Sequence, residues 1–262
     1  MGAFLQGLVS LLPYRNITLL APVVALLAIR IAKPILMTYG WLENTYMKDV
    51  ILGRTVPVFP PSSSSGPATT TDRTSPSNDQ ICVLIIAARS NHPLGMFGPG
   101  YNELGDYFTS MSAELDANAE EHGFLGQTAW QSASDKRSSR GEVGANLYFK
   151  SAEHLHAYAH GPLHTKGMQW WMATKPKHVG IMHEIFVAPK GSWEGVYVNY
   201  HPTGLGATTA PVAMDDGSTV WVNSLVEGKG KLAYSRGRMG REFAREKEWE
   251  AYEKTLAVND GY

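Results

Sequence analysis

Val179-Gly-Ile-Met-His183-Glu184-Ile-Phe-Val-Ala-Pro189 is followed, after the turn Lys190-Gly-Ser192, by Trp193-Glu-Gly-Val-Tyr197-Val-Asn199-Tyr-His201-Pro202. The first run reads as a strand, rich in β-branched and apolar residues, yet two ionisable residues sit at its centre. The second run carries Tyr197 and Asn199 among apolar neighbours. An unpaired polar group in a buried strand costs about 1–3 kcal/mol. These groups therefore either satisfy one another or face a cavity that holds a ligand. Successive strand residues point to opposite faces, so His183 and Glu184 do not share one.

The residues upstream decide what this strand pairs with. Ile81–Ala88 is a continuous apolar run and reads as a buried first strand, followed by a Gly/Pro loop to Gly100. From Tyr101 to His122, Leu104, Tyr107, Phe108, Met111, Leu115 and Ala119 recur every three or four residues, an amphipathic helix that stops at Gly123. Phe124–Gln131 alternates as a second strand, a polar loop covers Ser132–Gly144, and Ala145–Lys150 is a third strand. Ser151 and Glu153 give the next helix an N-cap and an acidic first turn, with Gly161-Pro162 bending or breaking it before Trp170 and Trp171. Val179–Val187 is the fourth strand, and Trp193–Tyr200 a short edge extension or a fifth. The order β-α-β-β-α-β is that of a ferredoxin-like α+β sheet. Both helices cover one face, so the aromatic-rich other face predicts a homodimer in which two sheets close a shared barrel.

Outside this core, composition sets the organisation. The chain has 262 residues and a formal net charge of −1. Basic and acidic residues are interspersed, which gives no footprint for nucleic acid. The single cysteine, Cys82, excludes an intrachain disulfide framework and sits in an apolar run as a small buried hydrophobe. Residues 1–55 read as an amino-terminal membrane-anchor segment. Ile17 to about Tyr39 is long enough to span a bilayer, with Arg30 near mid-depth at a cost of about 2.5–3.5 kcal/mol unless it and Lys33 snorkel. A basic leader region and a clean cleavage site are both missing, which argues against a removed signal peptide. Arg30, Lys33 and Lys48 follow the apolar run, leaving the main domain on the cytosolic side, with the endoplasmic reticulum as the expected membrane. Residues 56–80, dense in Pro, Ser and Thr, read as a disordered linker. A catalytic domain over 81–210 and a carboxy-terminal extension over 211–262 complete the division. That extension holds a short strand at Thr219–Val222 and a charged amphipathic helix at Gly240–Leu256.

Several stretches together carry a resemblance: Leu147-Tyr-Phe-Lys-Ser151, Glu153-His-Leu-His-Ala-Tyr-Ala159, Gly161-Pro-Leu-His164, Trp170-Trp171, Gly180-Ile-Met-His-Glu184, and Trp193-Glu-Gly-Val-Tyr-Val-Asn199 ending at Gly204-Leu205. This pattern resembles the fungal monooxygenase-like family of the dimeric α+β-barrel, or antibiotic-biosynthesis-monooxygenase-like, superfamily. Fungal members of that family sit in secondary-metabolite gene clusters, and some carry amino-terminal apolar segments. The resemblance implies oxidation of a hydrophobic terpenoid or polyketide intermediate. The wider superfamily also holds isomerases, cyclases and haem-handling enzymes, so fold alone does not name the reaction.

The residues themselves narrow the chemistry. Neither a glycine-rich dinucleotide fingerprint after a strand nor a phosphate loop or nucleophile elbow occurs. His156, His160 and His164 are spaced by four, but Gly161-Pro162 interrupts them and no acidic fourth ligand stands in register, so no metal site is expected. A single axial histidine to a haem is the remaining cofactor alternative. The preferred reading is an apolar pocket between sheet and helices that binds no cofactor tightly and uses dioxygen as co-substrate. In it His183 is the first candidate base and His164 the second, with Glu184 orienting or structural. Tyr197 and Asn199 are placed to hydrogen-bond an enolate oxygen, and Trp130, Trp170, Trp171 and Tyr148 to wall the pocket. A redox-neutral isomerase, cyclase or dehydratase on the same residues is the alternative, as is a non-catalytic ligand-binding or accessory protein.

Overall fold

The structure, a computed structural model, describes residues 15–60, 73, 75–76, 79–133, 141–214 and 216–240. The chain divides into two compact units between Val50 and Ile51. The first unit contains helix α1, Arg15–Thr38, with Pro22 and Pro34 inside it. Its stretch Leu20–Thr38, 19 residues, is long and apolar enough to cross a membrane, a test that a signal sequence also passes.

Strand β1, Ile51–Pro57, opens the second unit and crosses the boundary expected at 55/56. Val56, Val58 and Phe59 are 1%, 3% and 6% exposed. The proline- and serine-rich composition of 56–80 conceals this apolar start, because Ile51–Phe59 alone has the β-branched content of a strand. Residues 61–72, 74, 77 and 78 of the expected linker lie outside the described residues, as does the expected carboxy-terminal helix beyond Gly240.

Next in the chain come β2 (Ile81–Ser90), α2 (Tyr101–Ala117), β3 (Phe124–Gln131), β4 (Glu142–Phe149), α3 (Ala152–Ala159), α4 (Pro162–Thr174) and β5 (Val179–Ala188). The four strands form one antiparallel sheet in the order β3-β4-β2-β5, the ferredoxin-like arrangement. The break between α3 and α4 falls at Gly161 with Pro162 in the first helical turn, where its missing N–H costs nothing. Ser151 caps α3 by accepting the His154 N–H.

Alternation assigns the two faces of the sheet. Cys82, Leu84, Ile86, Leu147 and Phe149 pack under Leu115, Leu155 and Tyr158 of the helices. On the opposite face Ile81, Val83 and Tyr148 are met by Phe59, Trp193, Leu205 and Ala210. This second face is therefore partly covered by segments that flank the core in the chain, where the sequence left it wholly for a partner.

The covering elements are β6 (Tyr197–Tyr200), β7 (Thr209–Ala213), β8 (Thr219–Asn223) and β9 (Leu225–Glu227). Strand β6 does not extend the main sheet: it pairs with β1, whose other edge takes β9. Strands β7 and β8 form a separate hairpin pair. Helix α5, Ser235–Met239, is tied back by Arg238, which pairs with Glu194 at 2.7 Å.

Candidate active site

Register places the two central residues of β5 apart. His183 lies opposite Ile86, on the helix face, and Glu184 opposite Ile85, on the other. On its own face His183 is flanked by Ile181 and Ile185, which are 39% and 40% exposed. Leu84 and Ile86 beside them are only partly buried. The helices leave this apolar stretch of β5 exposed, with one imidazole at its centre.

Helix α4 packs at one end of this face. Trp171 packs at the Ala88–Val179 end of this face, next to Trp170, and Tyr107 of α2 lies 5.5 Å from the Trp170 ring. His164 and Trp171 are seven residues apart and share a helix stripe, separated by about 10 Å along the axis. Val179 to His183 covers about 13 Å of strand. His164 lies about two turns before Trp171 on α4, and His183 lies four residues after Val179 on β5. His164 Nδ1 is buried and has no hydrogen-bond partner, which is costly unless something enters to satisfy it.

A second constellation occupies the opposite face. Trp130 Nε1–H donates to Asn146 Oδ1 at 3.1 Å. The Tyr197 hydroxyl accepts the Gly206 N–H at 3.0 Å, and the Gly204 N–H donates to Thr128 Oγ1 at 2.8 Å. A side chain at Gly204, whose φ is +55°, would place its Cβ 3.3 Å from the Tyr148 hydroxyl and 3.4 Å from that of Tyr197. Burial pushes both phenols above their ordinary range. At Tyr148 the neighbouring Tyr197 adds to the rise and a hydrogen bond from Asn146 partly offsets it. At Tyr197 the Gly206 backbone hydrogen bond opposes the rise. Glu184 shares this face: reading across the sheet, Glu184, Ile85, Asn146 and Thr128 form one row.

The expected residues thus separate into two groups. His183, His164 and Trp171 belong to the helix face; Trp130, Tyr148, Tyr197 and Glu184 belong to the other. Asn199 joins neither. It has φ +50° on β6, and its Oδ1 accepts the Gly53 N–H at 2.8 Å. Asn146 and Thr128 went unnoticed in the sequence, although Asn146 is found by counting two residues back from Tyr148 along an alternating strand. Of the three histidines at spacing four, His156 lies on α3, His160 is its C-cap and His164 lies on α4, so no single helix presents them. Among the described residues no group of three His, Cys, Asp or Glu side chains is placed to hold a metal ion. A cleft of about 220 Å³ lined by Asp116, Phe124, Gly126, Thr209 and Trp221 lies at the start of β3, where Gly126 pairs with Tyr148 of the second group.

Residues 81–205, the whole ferredoxin-like core together with β6, match the family described as monooxygenase af470-like. Over 244 residues the chain is 32% identical to monooxygenase af470 of Aspergillus fumigatus, an alignment that takes in 92% of this chain and 85% of that protein. The chain belongs to the monooxygenase af470-like family. It is accordingly an enzyme of monooxygenase type. Among solved structures, SnoaB, a cofactor-independent oxygenase from Streptomyces nogalater, is 14% identical over 41% of this chain and 91% of its own, with a TM-score of 0.28. An antibiotic biosynthesis monooxygenase from Caulobacter crescentus, so described without a proven activity, is 16% identical over 40% of this chain and 89% of its own, with a TM-score of 0.29. The family match spans both constellations and leaves α1, β1 and the strands after Leu205 outside it.

Proposed function

We propose that the chain oxygenates a hydrophobic intermediate of fungal secondary metabolism in the cleft between α4 and β5, without a tightly bound cofactor. The observation that carries this reading is His183 set between Ile181 and Ile185 on a face that the helices leave open. An apolar stretch with one imidazole at its centre suits a substrate that is mostly hydrocarbon and carries one acidic C–H. His183 removes that proton, and the carbanion reduces dioxygen directly. One oxygen atom stays as a carbonyl and the other leaves as water, so a methylene plus dioxygen gives a ketone plus water with no external reductant. His164, with its unpaired Nδ1, satisfies the substrate oxygen or returns the proton. Trp171 closes the end of the cleft.

Two features of setting complete the proposal. Apolar side chains left bare on β5 are covered by a second copy, giving a homodimer with the barrel closed between the two sheets. Helix α1 tethers the enzyme to the membrane in which a lipophilic substrate dissolves, with the second unit in the cytosol at the endoplasmic reticulum.

Oxygen uptake by the purified full-length chain, offered polyketide- and terpenoid-like compounds with an activated methylene, tests the reaction. The expected product gains one oxygen and loses two hydrogens, with one dioxygen consumed per turnover. A product of unchanged composition formed without oxygen uptake turns the assignment to an isomerase or cyclase that uses His164 and His183 as an acid–base pair.

A further inference from the structure

The connection from β2 to α2, Asn91–Gly100, directs three large apolar side chains into solvent: Leu94, Met96 and Phe97 are 63%, 43% and 86% exposed. This loop is held firmly. The buried Ser90 Oγ donates to the Gly95 carbonyl at 2.6 Å, and the Leu94 N–H donates to His92 Nδ1 at 3.1 Å. A single 3₁₀ turn, Gly95–Phe97, closes with the Gly98 N–H on the Gly95 carbonyl at 3.0 Å. The segment 175–178 braces its flank. The His178 carbonyl accepts the Asn91 N–H at 2.6 Å, His178 Nε2 meets the Pro99 carbonyl, and the His92 and His178 rings lie 5.3 Å apart. Pro176 would be 3.9 Å from a side chain at Gly100, and the exposed Lys175 and Lys177 stand on either side of Pro176. Glu103 is the acidic residue in the first turn of the neighbouring helix α2, and Asp106, Glu114 and Asp116 follow along it.

A braced loop cannot fold its apolar tip away, and among the described residues none covers Phe97, so it stays in water unless something further covers it. An apolar tip with lysines at its flank is the combination that enters a lipid headgroup layer, the rings reaching the acyl boundary and the ammonium groups meeting anionic lipid. We infer that Leu94, Met96 and Phe97 form a lipid-docking tip, with Lys175 and Lys177 selecting anionic headgroups. The inference goes beyond the tether proposed for α1 and needs only that this apolar helix brings the chain to a bilayer.

The test places an environment-sensitive fluorophore on Met96→Cys in the full-length chain; Cys82 is fully buried, so the unsubstituted chain shows that label reaches only the new site. The protein is reconstituted into phosphatidylcholine vesicles with or without phosphatidylserine. The expected result is a blue-shifted emission quenched by nitroxide-bearing lipids, at least about twofold stronger when phosphatidylserine is present, with that increment lost in Lys175→Glu/Lys177→Glu. Water-like emission that nitroxide lipids do not quench overturns the inference, as does a blue shift without quenching, which means that protein covers the loop. Flotation of the same vesicles reports the α1 tether separately: a chain that floats with an aqueous probe keeps the tether and loses the loop, and a chain that does not float with an aqueous probe loses both.

Discussion

His183 and Glu184 are adjacent in the chain and stand on opposite faces of the sheet, one opposite Ile86 on the helix-bearing face and the other opposite Ile85 in a row with Asn146. One strand thus serves two surfaces, and the two side chains have separable effects. His183→Gln keeps a polar side chain of similar size and removes the proposed base, so kcat/KM for oxygen uptake is expected to fall about 100-fold or more while the melting temperature holds. Glu184→Gln leaves kcat within about twofold, because its carboxylate does not face the cleft. Steady-state oxygen uptake of both variants checks this. An unchanged rate in the His183 variant removes that residue from the chemistry.

Tyr148 and Tyr197 give the fold a pH dependence of known sign. Both bind their proton more tightly in the folded chain than at the ordinary value of 10.0. The stability linked to them is complete below pH 10 and drains as pH rises above it. Tyr101 and Tyr158 are shifted in the same direction, by burial first in each case, so the alkaline limb belongs to all four. Tyr148→Phe/Tyr197→Phe flattens that limb in a plot of melting temperature against pH. At pH 7 the pair costs about 1–2 kcal/mol, chiefly because the Gly206 N–H loses its acceptor. An alkaline limb identical to the parent's contradicts the packing described for these phenols.

Asn199 is explained by the backbone. Its φ of +50° suits asparagine or glycine, and its side-chain Oδ1 accepts the Gly53 N–H beside the register shift between Ile51 and Arg54. Asn199→Ala loses the acceptor and strains the backbone, at about 1–3 kcal/mol. Asn199→Gly restores the backbone freedom and costs less. Thermal melts rank the three chains, and turnover measured below both transitions is expected to match the parent. A drop in kcat with an unchanged melt in Asn199→Gly assigns the residue to substrate after all.

The parts of this fold that local pattern encodes were legible. Leu104, Met111 and Leu115 fix the face of α2, Gly161-Pro162 marks the break before α4, and strict alternation separates His183 from Glu184 before any coordinates. Partners brought together over long separations were not. Nothing near Tyr197 signals that its strand pairs with Thr55, because that hydrogen-bonding edge is set by a segment far back in the chain. The same cause hid the grouping of Tyr148 with Tyr197 around Gly204. Strand β1 was lost to averaging, its seven residues standing directly before a proline- and serine-rich tract.

Strand β5 is an edge strand of the main sheet, and Met182, Phe186 and Val187 on it are 45%, 53% and 50% exposed. Phe186 lies opposite Val83, on the face that segments flanking the core cover only in part. An edge with bare apolar side chains on both faces is unfavourable for a monomer in water and favours pairing with a like surface. Phe186→Asp puts a charge into that surface at a position the isolated fold leaves half in solvent, so the fold tolerates it and the dimer does not. Sedimentation velocity in mild detergent is expected to show the parent at twice the protein mass of the variant. Ile181 and Ile185 of the cleft stand on the opposite face of the same strand, so a partner on the Phe186 face does not cover them directly. A parent chain that sediments as a monomer at micromolar concentration, with full activity, rules out the shared barrel.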